Sequence, residues 1–248
     1  MATQTDLPNV QQELLRLQKA LQESEHDKIA LLKAVSHDVK APLNQIYALT
    51  KLLKMTGENL TEEQLEYVDR MDMVVKEGLS LVGNLLDLRS LEYRDVQYRE
   101  DEVNLEEVFT EVIRSFEDQA AHKGVTIKAK LMAIKTRLDK LYVSRIFDNL
   151  LSNAIKFSPR GGTVRIAMGL RADDVLINII DQGEGIPSKE QTQLFKKFVV
   201  LSPRPTAGEA TTGLGLYLSK QMALGLEGNV CLLPDEEDTT FQITLPLR

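Results

Sequence analysis

Ala34-Val35-Ser36-His37-Asp38-Val39-Lys40-Ala41-Pro42-Leu43-Asn44-Gln45-Ile46 sets an imidazole beside a carboxylate, and follows it with a proline that has helical, apolar-periodic sequence on both sides. Pro42 has no N–H, so a helix running through it loses one backbone hydrogen bond and bends, at a cost of about 3 kcal/mol. Val35, Leu43 and Ile46 are the apolar residues available to face a core, which leaves His37 and Asp38 nearer the solvent edge. An exposed imidazole next to a carboxylate can be held in one tautomer, its other nitrogen free as a nucleophile. A plain surface histidine on a kinked helix is the competing reading.

Outward from this stretch the sequence stays helical. From Val10 to about Lys54 glycine is absent, and Leu14, Leu17, Leu21, Leu31 and Val35 recur at three- and four-residue steps, a coiled-coil-like seam weakened at Ser24 and Lys28. Met55 to Thr61, with Gly57, reads as a loop, and Thr61 with Gln64 forms a capping box that starts a second helix. That helix carries Leu65, Val68, Asp72, Val75, Leu79, Val82, Leu86 and Arg89 in heptad spacing to about Tyr93. Asp72 and Arg89 interrupt the seam, which places them near bundle ends or at pairing-specific or solvated edge positions. An antiparallel hairpin of this kind cannot bury both apolar faces by itself, whereas two hairpins can, as a four-helix bundle. The chain is therefore expected to be a homodimer.

After the charged, aperiodic segment Arg94 to Glu102, the best candidate linker, the pattern becomes mixed. Helices are predicted over Leu105–His122, Leu138–Phe157 and about Gly215–Leu226. Strands are predicted over Val125–Leu131, Thr163–Gly169, Val175–Ile180, Asn229–Leu233 and Phe241–Leu245. The expected fold class is α+β: a coiled coil and antiparallel helical hairpin forming a dimeric four-helix bundle, then an α/β sandwich with a mixed sheet and a helical layer.

Composition narrows the function. The chain has 248 residues and a net charge of −7 without a basic block, which leaves no electrostatic footprint for nucleic acid and no polybasic patch for a membrane. Its single cysteine, Cys231, forms no internal disulfide and fits a reducing compartment. No signal peptide and no run of about 18 apolar residues is present, so no membrane contact is expected.

Three short motifs then follow in order. In Asn149-Leu150-Leu151-Ser152-Asn153-Ala154-Ile155-Lys156-Phe157, the residues Asn149, Asn153 and Lys156 share one helical face. Amide oxygens suit a hard cation such as Mg²⁺, and a lysine beside them suits phosphate oxygens. Asp181-Gln182-Gly183-Glu184-Gly185-Ile186-Pro187 ends an apolar strand. Its glycines admit close approach of a flat or anionic ligand, and Asp181 offers an acceptor to an adenine amine. Gly213-Leu214-Gly215-Leu216 leads into a helix, where backbone N–H groups favour phosphate. Between the last two lie Leu194-Phe195-Lys196-Lys197-Phe198 and an aperiodic stretch, Val199 to Thr212, of a composition that suits a mobile lid.

Together these stretches resemble the sensor histidine kinases of two-component systems. Ser36 to Ile46 looks like that family's phosphoacceptor box, Asn149 to Phe157 its N box, Asp181 to Pro187 its first glycine box, Leu194 to Phe198 its F box and Gly213 to Leu216 its second. The resemblance implies a coiled-coil linker helix over residues 1–30, a dimerisation and phosphoacceptor domain over 31–94 and a catalytic ATP-binding domain of the Bergerat type over 102–248. It implies that His37 accepts the γ-phosphoryl group of ATP, and that Asp38 orients its imidazole and acts as general base. Asn153 would ligate Mg²⁺, Asn149 and Lys156 would contact phosphates or metal, and Asp181 would read adenine. Gly183, Gly185, Phe198, Gly213, Leu214 and Gly215 would shape the pocket and lid. The implied partner is a response-regulator receiver domain, and the implied setting is the cytoplasm, where an upstream sensor segment is compatible with the chain. Ala41 stands where many members carry Thr or Asn for dephosphorylating their partner, so phosphatase activity is not implied. His26 and His122 read as surface residues. The competing functions are an ATPase of the same nucleotide fold from the chaperone or mismatch-repair class, and a non-enzymatic ATP-binding scaffold.

Overall fold

The structure, a computed structural model, describes residues 7–57, 59–92, 98–206, 209, 211–234 and 238–248. Within its helices only the backbone is described at 7–11, 21–23, 25–33, 89 and 92. The readings that named His26, Lys28 and Arg89 by their side chains, and the part of the linker from 94 to 97, lie outside the described residues. The chain divides into two compact units, one ending at Arg89 and the other beginning at Ser90.

The first unit consists of two helices, α1 (Leu7–Thr56) and α2 (Glu62–Glu92). α1 is continuous through Pro42, which deprives the Asp38 carbonyl of its i+4 donor. The predicted capping box is formed: the Gln64 N–H donates to Thr61 Oγ1 at 3.2 Å, and the Thr61 N–H donates to Gln64 Oε1 at 2.9 Å. Val68, Val75 and Val82 of α2 are buried, in keeping with their heptad positions. Asp72 is buried between them, neither at a bundle end nor at a solvated edge. Its carboxylate accepts a hydrogen bond from the Thr50 hydroxyl at 3.3 Å and is approached by the ammonium groups of Lys76 at 3.2 Å, Lys51 at 3.7 Å and Lys54 at 3.8 Å. Burial acts to raise the Asp72 carboxyl, but the Lys76 hydrogen bond and the charges of Lys76, Lys54 and Lys51 prevail and hold it below the ordinary carboxylate value. A second apolar set, including Val39, Ile46, Leu49, Met71 and Val74, stays exposed on the single chain.

The second unit comprises β1 (Asp101–Asn104), α3 (Leu105–Lys123), β2 (Thr126–Lys130), β3 (Lys135–Leu138), α4 (Lys140–Phe157), β4 (Thr163–Arg171), β5 (Asp174–Asp181), α5 (Ser188–Gln191), α6 (Gly215–Gly225), β6 (Asn229–Leu233) and β7 (Thr239–Pro246). A five-stranded mixed sheet runs β2-β4-β5-β7-β6, parallel only between β2 and β4. Alternate residues Val175, Ile177, Ile179 and Asp181 of β5 are buried, as are Phe241, Ile243 and Leu245 of β7, so one sheet face meets the helices. Phe109 of α3 stacks on Phe147 of α4 with ring centroids 4.3 Å apart at the centre of that layer.

Two elements correct the sequence reading. Asp101 and Glu102, assigned to the linker, begin β1, which pairs antiparallel with β3. Leu138 ends β3 instead of opening a helix; α4 starts after Asp139, whose side chain caps it by accepting the N–H groups of Leu141 and Tyr142.

Candidate functional site

In the first unit His37 and Asp38 are 84% and 81% exposed, and His37 Nδ1 faces Asp38 Oδ1 at 3.4 Å. A proton on Nδ1 leaves the Nε2 lone pair free in solvent, a geometry suited to nucleophilic attack. Neighbouring Ser36 is buried, which fixes the helix face that His37 turns outward.

In the second unit three segments converge along α4. Its apolar residues Val143, Ile146, Leu150 and Ala154 bury against the sheet and α3, and the same helical turn brings Asn149, Asn153 and Lys156 to a half-exposed face. The N-terminus of α6 lies against that face: a Cβ built on Gly215 would sit 3.5 Å from Asn149 Oδ1. α6 starts without a side-chain cap at Leu214, so among the described residues no capping side chain takes up its first N–H groups, which favour an anion. Leu214 contributes only backbone here, because its side chain is buried in the core.

At the C-terminal end of α4, the turn after β5 closes over Phe157. A Cβ on Gly183 would lie 2.7 Å from Asp181 Oδ1 and 3.2 Å from the Phe157 carbonyl oxygen, so any larger residue has to displace the Asp181 carboxyl. The Gly183 N–H donates to Asp181 Oδ1 at 2.9 Å, and Gly185 turns the chain with a φ of 75°. Burial pushes the Asp181 carboxyl up to about 7. The hydrogen bonds from the Gly183 N–H and the Thr239 hydroxyl oppose that rise, and the charge of Asp238 adds to it. Thr239 is a residue that sequence reasoning missed. It lies directly opposite Asp181 in the β5–β7 ladder, a pairing that no local pattern announces.

Phe198 is not brought into this group by its ring, which is 63% exposed. Its backbone matters instead: the Phe198 N–H donates to the Gly213 carbonyl at 3.0 Å and closes the base of the loop 199–212. Gly213 has a φ of 66°, and a Cβ there would meet the Val199 carbonyl oxygen at 2.5 Å. Among the described residues no cluster of three or more His, Cys, Asp or Glu is arranged to hold a metal ion, and no helix is long and apolar enough to cross a membrane.

Comparison with known proteins adds to this geometry. Residues 27–94 match the family described as His Kinase A (phospho-acceptor) domain, and residues 138–248 the family described as histidine kinase-, DNA gyrase B- and HSP90-like ATPase. The circadian input-output histidine kinase CikA of Synechococcus elongatus is 30% identical over 95% of this chain and 32% of its own length. The autoinducer 2 sensor kinase/phosphatase LuxQ of Vibrio cholerae is 26% identical over 98% of this chain and 29% of its own. Among solved structures, full-length ShkA in complex with AMPPNP superposes with a TM-score of 0.63 at 25% identity, over 88% of this chain and 45% of that one. The chain thus spans about a third of the two curated relatives.

Proposed function

The chain belongs to the sensor histidine kinases of two-component systems, and on that premise we propose that it phosphorylates His37 from ATP and passes the phosphoryl group to an aspartate of a response-regulator receiver domain. The observation that carries this reading is the convergence of Asp181, Gly183 and the α6 N-terminus on the polar face of α4. Asp181 accepts the adenine amine from its buried position, Lys156 and the first N–H groups of α6 meet phosphate oxygens, and Asn149 lies between α4 and α6 where the triphosphate passes. The residues fit Mg²⁺ as well, because the amide oxygens of Asn149 and Asn153 are hard donors one helical turn apart. When bound, Mg²⁺ neutralises charge on the triphosphate. His37 Nε2 forms the bond to the γ-phosphorus as the bond to the β-phosphate oxygen breaks, and ADP leaves. Asp38 orients the ring and takes the Nδ1 proton as general base, so that the phosphorylated ring ends neutral. Incubation with Mg²⁺ and γ-labelled ATP tests the reading: label is expected on the protein, lost in acid and retained in base. Acid-stable label, or release of phosphate without labelled protein, contradicts it.

Asn153→Ala is expected to abolish the gain in ATP affinity that Mg²⁺ produces while leaving magnesium-free binding within about twofold, since one hard donor is lost and the adenine contacts stay. Calorimetric titration with and without Mg²⁺ checks this; equal losses in both conditions contradict the assignment.

The exposed apolar set on α1 and α2 supports the homodimer. Val74, at 61% exposure, lines a groove with Ile46, Tyr67 and Met71. A second copy of the hairpin covers such a surface. Sedimentation at micromolar concentration is expected to give a dimer for the parent chain and a monomer for Ile46→Glu with Val74→Glu. A dimer that survives both charges contradicts this packing.

A further inference from the structure

We infer that Lys123 is a positioning residue for nucleotide binding, forming with Glu209 a buried latch that ties Glu209, and with it neighbouring Thr206, to the C-terminal end of α4. The inference rests on the reading of that helix end as part of the ATP site. Lys123 Nζ and the Glu209 carboxylate are 3.0 Å apart, with side chains only 6% and 7% exposed. A buried ammonium needs acceptors, and Lys123 finds two more in the carbonyl of Ile155, at 2.8 Å, and the carbonyl of Lys156.

The sequence explains why those carbonyls are available. The partner of the Ile155 carbonyl in a continuing helix would be the N–H of residue 159, and residue 159 is proline. α4 therefore ends with an orphaned acceptor and the negative end of its dipole, and Lys123, the last residue of α3, supplies the charge that satisfies both. Glu209 then arrives from the loop and neutralises that charge. The loop adds a second anchor three residues earlier, where the Thr206 N–H donates to the Lys156 carbonyl at 3.1 Å and its hydroxyl to the Ser158 carbonyl at 2.7 Å.

Both anchors lie on the last turn of the helix that carries Asn149, Asn153 and Lys156, and beside Phe157, over which Gly183 closes. Thr206 and Glu209 are thus tied to the end of α4 before any ligand arrives, so ATP does not have to draw these two positions in on binding. A latch of this kind lowers the KM for ATP and leaves the rate at saturation alone. A merely structural ion pair would change melting temperature and neither of these.

The test measures hydrogen–deuterium exchange of the loop and ATP affinity in the full chain. Glu209→Ala and Glu209→Gln leave both Lys123–carbonyl hydrogen bonds intact. They are expected to speed exchange in the loop without speeding it in α4, and to raise the KM for ATP about tenfold with kcat of autophosphorylation unchanged. Lys123→Met is expected to loosen the loop as well, and combined with Glu209→Gln to add nothing further to that loosening. If Lys123→Met fails to fold, the two Glu209 variants still decide. Wild-type protein that binds ATP, with Glu209 variants matching it in exchange and KM, overturns the latch alone. Wild-type protein that binds no ATP overturns the site reading and the inference together.

Discussion

A His37→Gln protein given Mg²⁺ and γ-labelled ATP is expected to take up no label, while binding ATP within about twofold of the parent. The imidazole is largely in solvent, so its replacement removes no core packing, and glutamine is as good a helix former as the site needs. What disappears is the ring nitrogen that the proposed reaction uses as its nucleophile. Asp38→Asn separates the two roles of the pair. It keeps the nucleophile but replaces the carboxylate facing Nδ1 with a neutral amide, and labelling is expected to slow by about 10²–10⁴-fold at unchanged ATP affinity. Label that persists in His37→Gln would move the acceptor elsewhere and leave only nucleotide binding of the present reading.

Asp181→Asn is expected to push two measurements in opposite directions. ATP affinity should fall by about 5- to 150-fold, because an amide donor can turn toward the adenine amine where only an acceptor is useful, a mismatch worth about 1–3 kcal/mol. Stability of the nucleotide-free protein should instead rise at pH 8. The carboxyl of Asp181 is pushed up to about 7 in the folded state, well above its ordinary value near 3.8. The folded state therefore holds a proton that the unfolded chain has released over that interval. Its stabilising effect is complete below about pH 4 and is lost as pH rises toward 7, at up to about 1.4 kcal/mol per pH unit. Asparagine does not titrate, so denaturation midpoints of the variant should lose this slope. A variant that keeps the parent's pH dependence would show that Asp181 is not the buried acid, and one that binds ATP equally well would show that it is not the adenine reader.

What the sequence made legible were features whose cause lies within a few residues. Thr61 and Gln64 read as a capping box because both hydrogen bonds span three positions, and both are formed. Gly124 reads as a helix stop and adopts a φ of 70° there. Asn149, Asn153 and Lys156 share a face by helical period alone. The features missed depend on partners far along the chain. Asp101 and Glu102 look like solvated linker, because both are exposed and the strand they begin pairs with residues 135–138, which lie beyond α3 and β2. Lys123 looks like a basic helix end until the loop returns with Glu209, 86 residues later. Asp72 looks like a flaw in a heptad seam, since the lysines that stabilise it come partly from the preceding helix.

That buried carboxylate limits the kind of motion the hairpin can transmit. Lys51, Lys54 and Thr50 reach it from α1 and Lys76 from α2, so it acts as a cross-pin between the two helices. Sliding α1 along α2 by one turn, about 5.4 Å, would draw Thr50, Lys51 and Lys54 away and leave Asp72 only Lys76, on its own helix, a loss of about 1–3 kcal/mol. Rotating or bending both helices together keeps every one of these contacts. A shift of α1 past α2 would have to give up the Thr50, Lys51 and Lys54 contacts, whereas torsion of both helices together would keep them.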